Sequence, residues 1–345
     1  MRILTLVSCL LAGCDREDPD VPQDTPTDSA DPSPAAAWQT LATELGGAVL
    51  SVTGTAADDV WMMGSADALG PTVLHYDGAG WTRHAPESPG DLWWSWLPPQ
   101  PAASVLWAVG AGGRVLRFDG AAWSEAITDP AITLFGVWGT SESDVWTVGG
   151  DIGGSGSGGA IFHWDGAAWS QASLPPGAAA QQSIFKVWGT GPDDVWACGN
   201  NGTLVHFDGS AWSDVPSGSD RTLLTLHGTG PGDIYVVGGL GNAAVLHWDG
   251  TAWTDESPPF APELNGVFVR DGRTVGVGRT GSVWEKVDGA WTEDPRGRAG
   301  FFDLHATWID PDGGVWAVGG AIATSPLTRG TIVYGGPAAI PPYSP

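Results

Sequence analysis

The residues of this 345-residue chain that could do chemistry are few and scattered through a pattern. Four histidines, His75, His163, His206 and His247, fall at equivalent points of a repeat, which invites a metal-site reading. Zinc is held at 2.0–2.1 Å per ligand, so its donors must sit within roughly 4 Å of one another. Equivalent points of successive repeats lie on separate structural units. These histidines are therefore expected at the surface or between units, and no metal is assigned to them. Asp59, Asp144 and Asp194 recur in Gly-Thr-x-x-x-Asp segments. Their side-chain oxygens are expected to shape turns by bonding nearby backbone N–H groups; calcium there is the sharper alternative. Cys198 stands where sister repeats carry Val109, Val148 and Val318, so it reads as a small buried apolar residue and not as a reactive thiol.

What must position these groups is the repeat itself. Its clearest copy, residues 184–216, holds four short runs rich in valine, tryptophan, phenylalanine and threonine, separated by glycine, proline and aspartate turn signals. An Asp-Gly turn leads into Trp81, Trp123, Trp169, Trp212, Trp253 and Trp291, spaced by 42, 46, 43, 41 and 38 residues. A second-run marker falls at Trp61, Trp107, Trp146, Trp196, Tyr235 and Trp316. A period of about 40–45 residues with four strands per unit is that of a propeller blade. The predicted fold is all-β, a β-propeller of about seven four-stranded blades, with six or eight as alternatives. Residues 301–336 hold only three strands of the last blade. Ala36-Ala37-Trp38-Gln39 supplies the fourth, one period before Trp81, so the N-terminal strand is expected to close the ring and remove a free sheet edge.

In such a blade the first-to-second and third-to-fourth turns share one face of the disc, and these are nearly constant here. The other face varies, through loops such as 64–71, 110–113, 149–160, 199–202, 238–243 and 319–330 and the connections 87–91 and 175–182. Loops on a rigid scaffold are where binding residues concentrate, so a partner is expected on this variable face. The charged candidates there are Asp67, Arg114, Asp151, Arg279 and Arg329. Leu92-Trp93-Trp94-Ser95-Trp96 opens the second blade. Trp96 aligns with Trp138 and Trp188 and is expected in the core. Trp94 aligns with Gly136 and Lys186, a position that looks into the central channel. Trp93 and Trp94 either form a platform for a sugar ring or fill space between blades. No catalytic residue is assigned.

The N-terminus reads Met1-Arg2, an apolar run from Ile3 to Ala12, then Leu11-Ala12-Gly13-Cys14. That is a secretory signal over residues 1–13, too short for the roughly 20 residues of a membrane span. The tetrapeptide resembles the bacterial lipobox, which implies lipidation of Cys14. Residues 14–36 are acidic and proline-rich, a disordered tether that favours extension; residues 37–337 form the propeller and 338–345 a tail. With Cys9 removed and Cys14 acylated, Cys198 has no disulfide partner. A formal net charge of −25 excludes nucleic acid, whose phosphates need Lys and Arg.

The repeat resembles those of secreted bacterial lipoproteins with the pattern V-W-G-T-x-x-x-D-V-W-x-V-G, and is distantly similar to kelch, Asp-box and photosystem II assembly-factor-type propellers. The resemblance implies architecture and no catalytic residue. The function expected is a noncatalytic, monomeric binding module, lipid-anchored in the cell envelope, with an unknown protein or glycan partner and no cofactor. A glycan hydrolase or lyase at the channel mouth and a purely structural envelope protein are the alternatives.

Overall fold

The computed structural model describes residues 38–98, 105–151, 158–297 and 302–344. Its 28 strands form seven four-stranded antiparallel sheets. Six sheets are continuous in sequence; blade one is Val49–Ala56, Asp59–Asp67, Gly70–Tyr76 and Trp81–Arg83. The seventh takes three strands from Asp303–Ile309, Val315–Ala321 and Thr328–Gly335, and its outer strand from Trp38–Leu45. First strands of consecutive blades touch in a closed ring, the seventh meeting the first. The seven-bladed fold and its closure by the strand at Trp38 are as the repeat predicts. The segments expected to be a signal peptide and a tether, with Cys14, lie outside the described residues, as do residues 152–157 of the loop in blade three.

Because every blade is covered on both faces, its apolar residues run in near-continuous stretches and pack into the seams between blades. Trp61 and Met63 of blade one, for example, meet Leu92, Leu106, Leu116 and Phe118 of blade two. The second-strand markers Trp61, Trp107, Trp146, Trp196, Tyr235 and Trp316 are all buried there. The fourth-strand markers Trp81, Trp123, Trp169, Trp253 and Trp291 flank the same seams half-buried, and Trp212 is buried.

Two local devices recur. Five Asp-Gly turns are four-residue loops in which the aspartate Oδ1 accepts the N–H groups two and three residues on, as Asp77 does from Ala79 and Gly80. Blade six instead closes with Asp288 and Gly289 alone, at φ 49° and 80°. This is the tight hairpin turn that needs two left-handed residues; the short last spacing in the sequence arises instead mainly in the second-to-third loop of blade six, where Val275 pairs with Glu285 while Tyr235 of blade five pairs with His247. The second device is a bulge near the start of each first strand, where the register to the second strand slips by one. The extra residues are Leu50, Trp93, Phe135, Phe185, Leu224, Asn265 and His305.

The C-terminal residues are built into the rim. Tyr343 N–H donates to Leu41 O at 2.9 Å, Trp81 Nε1 donates to Pro341 O at 2.8 Å, and Ile340 is buried.

Candidate functional site

A bulge turns one side chain away from the regular alternation of a strand. Here six of the seven bulge residues, Trp93, Phe135, Phe185, Leu224, Asn265 and His305, line one cavity of about 230 Å³ on the channel axis. Ile322, from the second-to-third loop of blade seven, and Glu263, from the connection into blade six, complete its wall. Both belong to the variable face, so the cavity is the channel mouth on that side. The bulge of blade one, Leu50, is fully buried instead.

Lys186 stands one residue deeper and lines both this cavity and a second one of about 190 Å³ toward the opposite face. It is 4% exposed. Its Nζ donates to Phe135 O at 2.9 Å and sits 4.0 Å from the centroid of the Trp94 ring, a cation–π contact. Trp94 belongs to blade two and Lys186 to blade four; Gly136 of blade three occupies the position between them. A Cβ on Gly136 would lie 2.9 Å from Lys186 Cα, so only glycine lets the two side chains meet across that blade.

The electrostatics follow from burial. Desolvation pulls Lys186 down to about 7. Burial also pushes the Cys198 thiol, opposite Lys186 in the sheet, up to about 12, which makes it a poor nucleophile. His305 falls to about 3 through burial and the nearby Lys186 charge, and its Nδ1 donates to Leu50 O at 2.5 Å. Burial raises Glu263 above its ordinary value, while its Oε2 accepts from Gly241 N–H at 3.3 Å.

The sequence candidates fare unequally. Trp93 is in the cavity wall, edge-on to Phe135 at 5.2 Å and 78°. Trp94 does look into the channel, yet its ring face is covered by Lys186 and its body packs against two seam clusters. The pair therefore forms a wall and a plug, not a shared flat platform. Asp67 is paired with Arg83 at 2.7 Å, Arg329 with Glu44 at 2.6 Å, and Arg114 with Glu125 at 3.5 Å. Asp151 is buried, and Arg279 is exposed on the 3₁₀ turn Arg279–Gly281. None of these five lines the cavity. Trp96, expected in the core, is half-buried and lines the second cavity with Trp138, Trp188, His227, Phe268 and Trp308. Its edge rests on Gly139 of the next blade, so it closes a gap between first strands.

The repeated histidines are partly exposed beside the interblade seams, and each is tied within its own blade. His75, His163, His206 and His247 each donate Nε2 to an aspartate of their own blade, Asp59, Asp144, Asp194 and Asp233, at 2.7, 2.6, 2.7 and 3.0 Å. The other oxygen of each carboxylate accepts a hydroxyl, from Thr55, Thr140, Thr190 and Thr229. Three of the imidazoles stack on the second-strand aromatic, Trp61, Trp146 or Tyr235. Asp59, Asp144 and Asp194 thus bond side chains, where backbone N–H groups were expected, because the strand geometry brings threonine and histidine to them first. A calcium ion would have to displace those partners.

The His75 bond holds Asp59 below the ordinary carboxylate range. For Asp194, burial pushes upward but the bonds from Thr190, His206 and Trp196 outweigh it. Carboxylates depressed in the folded state contribute stability above their unfolded pKa, about 3.9, and lose it as pH falls through the folded value. The melting temperature is expected to hold from pH 7 to about 5 and to drop steeply below about 4. An Asp59→Asn, Asp194→Asn double variant should show a lower plateau and a shallower acid limb in circular-dichroism melts.

Sequence reasoning missed Phe135, Phe185, Leu224, Asn265, His305 and Lys186 as one site. The signal was positional: each bulge residue directly follows the apolar residue that opens its blade.

No family model matches the chain, and no curated protein matches its sequence. Solved structures do match its fold. YCF48 from Cyanidioschyzon merolae superposes with a TM-score of 0.64 at 15% identity, covering 88% of this chain and 100% of that one. YCF48 bound to D1 peptide gives 0.65 at 14%, covering 88% and 97%. A streptogramin B lyase gives 0.63 at 11%, covering 86% and 97%. At these identities the likeness is one of propeller architecture.

Proposed function

We propose that this chain is a noncatalytic binding module of the cell envelope. A lipid on Cys14 and the acidic tether of residues 14–36 hold it at a membrane, and it acts as a monomer. Its partner engages the channel mouth on the variable face. The observation that supports this most is the bulge-lined cavity, whose apolar walls and few convergent polar groups are the usual makeup of a ligand site. At about 230 Å³ it is smaller than the roughly 300–1,000 Å³ of drug-sized sites. It suits a single ring or side chain of a larger partner, with the surrounding loops contacting the rest. Between protein and glycan partners, the similar propeller described as bound to a D1 peptide favours protein. A flat exposed aromatic platform, which a sugar ring would need, is not what Trp93 and Trp94 make.

The second reading is an enzyme, and its supporting observation is that Lys186, Glu263 and His305 line the same cavity with perturbed proton affinities. Against it, each is engaged with backbone: Lys186 with Phe135 O, Glu263 with Gly241 N–H, His305 with Leu50 O.

The test is capture from envelope extracts and on a glycan array by the detergent-solubilised full chain, with Trp93→Ala and Leu224→Ser variants alongside. The expected result is a discrete protein partner retained by the parent and weakened at least tenfold by either variant, with Cys14→Ala moving the chain from membrane to soluble fractions. Capture indifferent to both channel variants would overturn the channel assignment. Chemical conversion of the captured partner would move the site to the enzyme reading, and Cys14→Ala staying membrane-bound would remove the lipid anchor.

A further inference from the structure

Resting on the reading that the channel mouth is the binding site, we propose that it recognises a carboxylate attached to one aromatic or branched apolar group, the apolar part lying against Trp93, Phe135, Phe185 and Leu224 and the carboxylate pairing with Lys186 Nζ.

The buried ammonium of Lys186 is an unbalanced charge. An ammonium carries three donors, and Nζ of Lys186 is bonded to one carbonyl and covered by one ring face. Among the described residues no carboxylate lies within ion-pair distance of it. The chain's other lysine, Lys286, shows the ordinary arrangement: its Nζ bonds both oxygens of Glu256 and the Tyr235 hydroxyl. A buried charge is normally paired, because leaving it unpaired forfeits its hydration with nothing in return. At Lys186 the missing partner has a place to come from, since the amine borders an aromatic-walled cavity open to the variable face.

The groups around Lys186 would not compete for it. Cys198, opposite in the sheet, is held as the neutral thiol; His305 is neutral and its Nδ1 is committed to Leu50; burial biases Glu263 on the cavity wall toward its protonated form. The local sign is thus set by Lys186 although the whole chain carries −25. Size is consistent too: about 230 Å³ takes one ring with a short acid arm. Two sources fit this chemistry, a free small aromatic acid and the carboxyl terminus of a partner protein ending in an apolar residue.

Proton linkage gives a signature. A ligand carboxylate stays ionised above pH 6, so only the lysine titrates. Binding needs the ammonium, and Lys186 is already losing its proton near 7. Affinity should therefore be flat below about pH 7 and fall roughly tenfold per pH unit above it, with a proton taken up on binding.

The experiment is isothermal calorimetry on the detergent-solubilised full chain with phenylacetate, indole-3-acetate and short peptides ending in phenylalanine, each against its amide. Runs at pH 6.5 and 8.5 in phosphate and in Tris read the proton uptake. The expected result is at least a tenfold preference for acid over amide at pH 6.5, which shrinks by pH 8.5. A Lys186→Met variant with unchanged melting should lose the preference; should it misfold, the acid–amide and buffer comparisons on the parent still decide. Tight peptide acids beside weak small acids would identify a protein terminus as the source, and the reverse a metabolite. Equal binding of acids and amides would overturn the carboxylate assignment and leave the cavity as the site. So would a partner captured through Trp93 that carries no free carboxylate. No binding of any probe, together with capture indifferent to the channel variants, would remove both readings.

Discussion

Replacing Gly319 by alanine is expected to destabilise the propeller by about 3 kcal/mol or more, the upper end of overpacking effects. Gly319 is one of seven glycines, with Gly64, Gly110, Gly149, Gly199, Gly238 and Gly278, that end the regular part of each second strand opposite the residue before the bulge. At all seven an added Cβ would lie 1.9–2.4 Å from the carbonyl oxygen of the residue two before the bulge; at Gly319 it meets Asp303 O at 1.9 Å and Leu304 Cα at 2.7 Å. Those are backbone atoms, so no side-chain rotation relieves the clash. Relief requires moving the first strand, and the first strand carries the bulge that aims His305 into the cavity. The same substitution should therefore weaken ligand capture in the fraction that still folds. Gly230→Ala, where a Cβ meets nothing within 4 Å, is the control and should shift stability by no more than about 0.5 kcal/mol. Thermal melts of the two variants side by side check this. A Gly319→Ala curve that overlays the Gly230→Ala curve would mean the bulge and its glycine are not one unit.

This pairing of bulge and glycine also marks where the sequence stops being legible. The W-x-V-G ending of the second strand is plain in the repeat, and so is the four-strand period, because tryptophan and Asp-Gly turns recur at fixed offsets. What the glycine faces is a backbone carbonyl from another strand, and no periodicity reports that. The extra residue of each bulge likewise shifts the inward and outward alternation by one, so Trp93 and Phe185 point into a channel where simple alternation would hide them. Trp94 was legible as a channel residue by alignment with Gly136 and Lys186, but its contact with Lys186 spans two blades and depends on the missing side chain at Gly136. The partners of the histidines were not legible for a different reason. His75, His163, His206 and His247 occur in the blades that also carry threonine and aspartate four residues apart. Blade six, which lacks that aspartate, substitutes Arg273 and Glu285 at the same places, paired at 2.8 Å. That co-occurrence within one chain is readable once strand register is known, and register is what the sequence alone does not print.

Deleting residues up to 45, and with them the outer strand Trp38–Leu45, is expected to abolish cooperative melting. The strand pairs with Thr328–Gly335 from Trp38 opposite Gly335 to Leu45 opposite Gly330. It buries Leu41 and Ala42 in the cluster that holds Trp316, Tyr334, Ile332 and Ile340. Without it, Thr328–Gly335 becomes an exposed edge with a row of unpaired backbone groups, a template for aggregation. The tail also loses its anchor, since Tyr343 bonds Leu41 and Gln39 bonds Ala338 at 2.6 Å. Two causes are mixed in that loss: the missing fourth strand, and the missing link between chain ends that closes the ring. A rearranged chain separates them. Moving residues 38–45 to follow Gly335 through an Asp-Gly-Ala-Ala loop, copied from the turn between Trp164 and Trp169, restores the blade by an ordinary hairpin but leaves the ring unlinked. This variant should melt cooperatively and run as a monomer in size exclusion, yet at a lower temperature than the parent, the gap measuring ring closure together with the tail contacts that the rearrangement displaces. If instead the deletion melts like the parent, the strand at Trp38 decorates the ring and does not complete it.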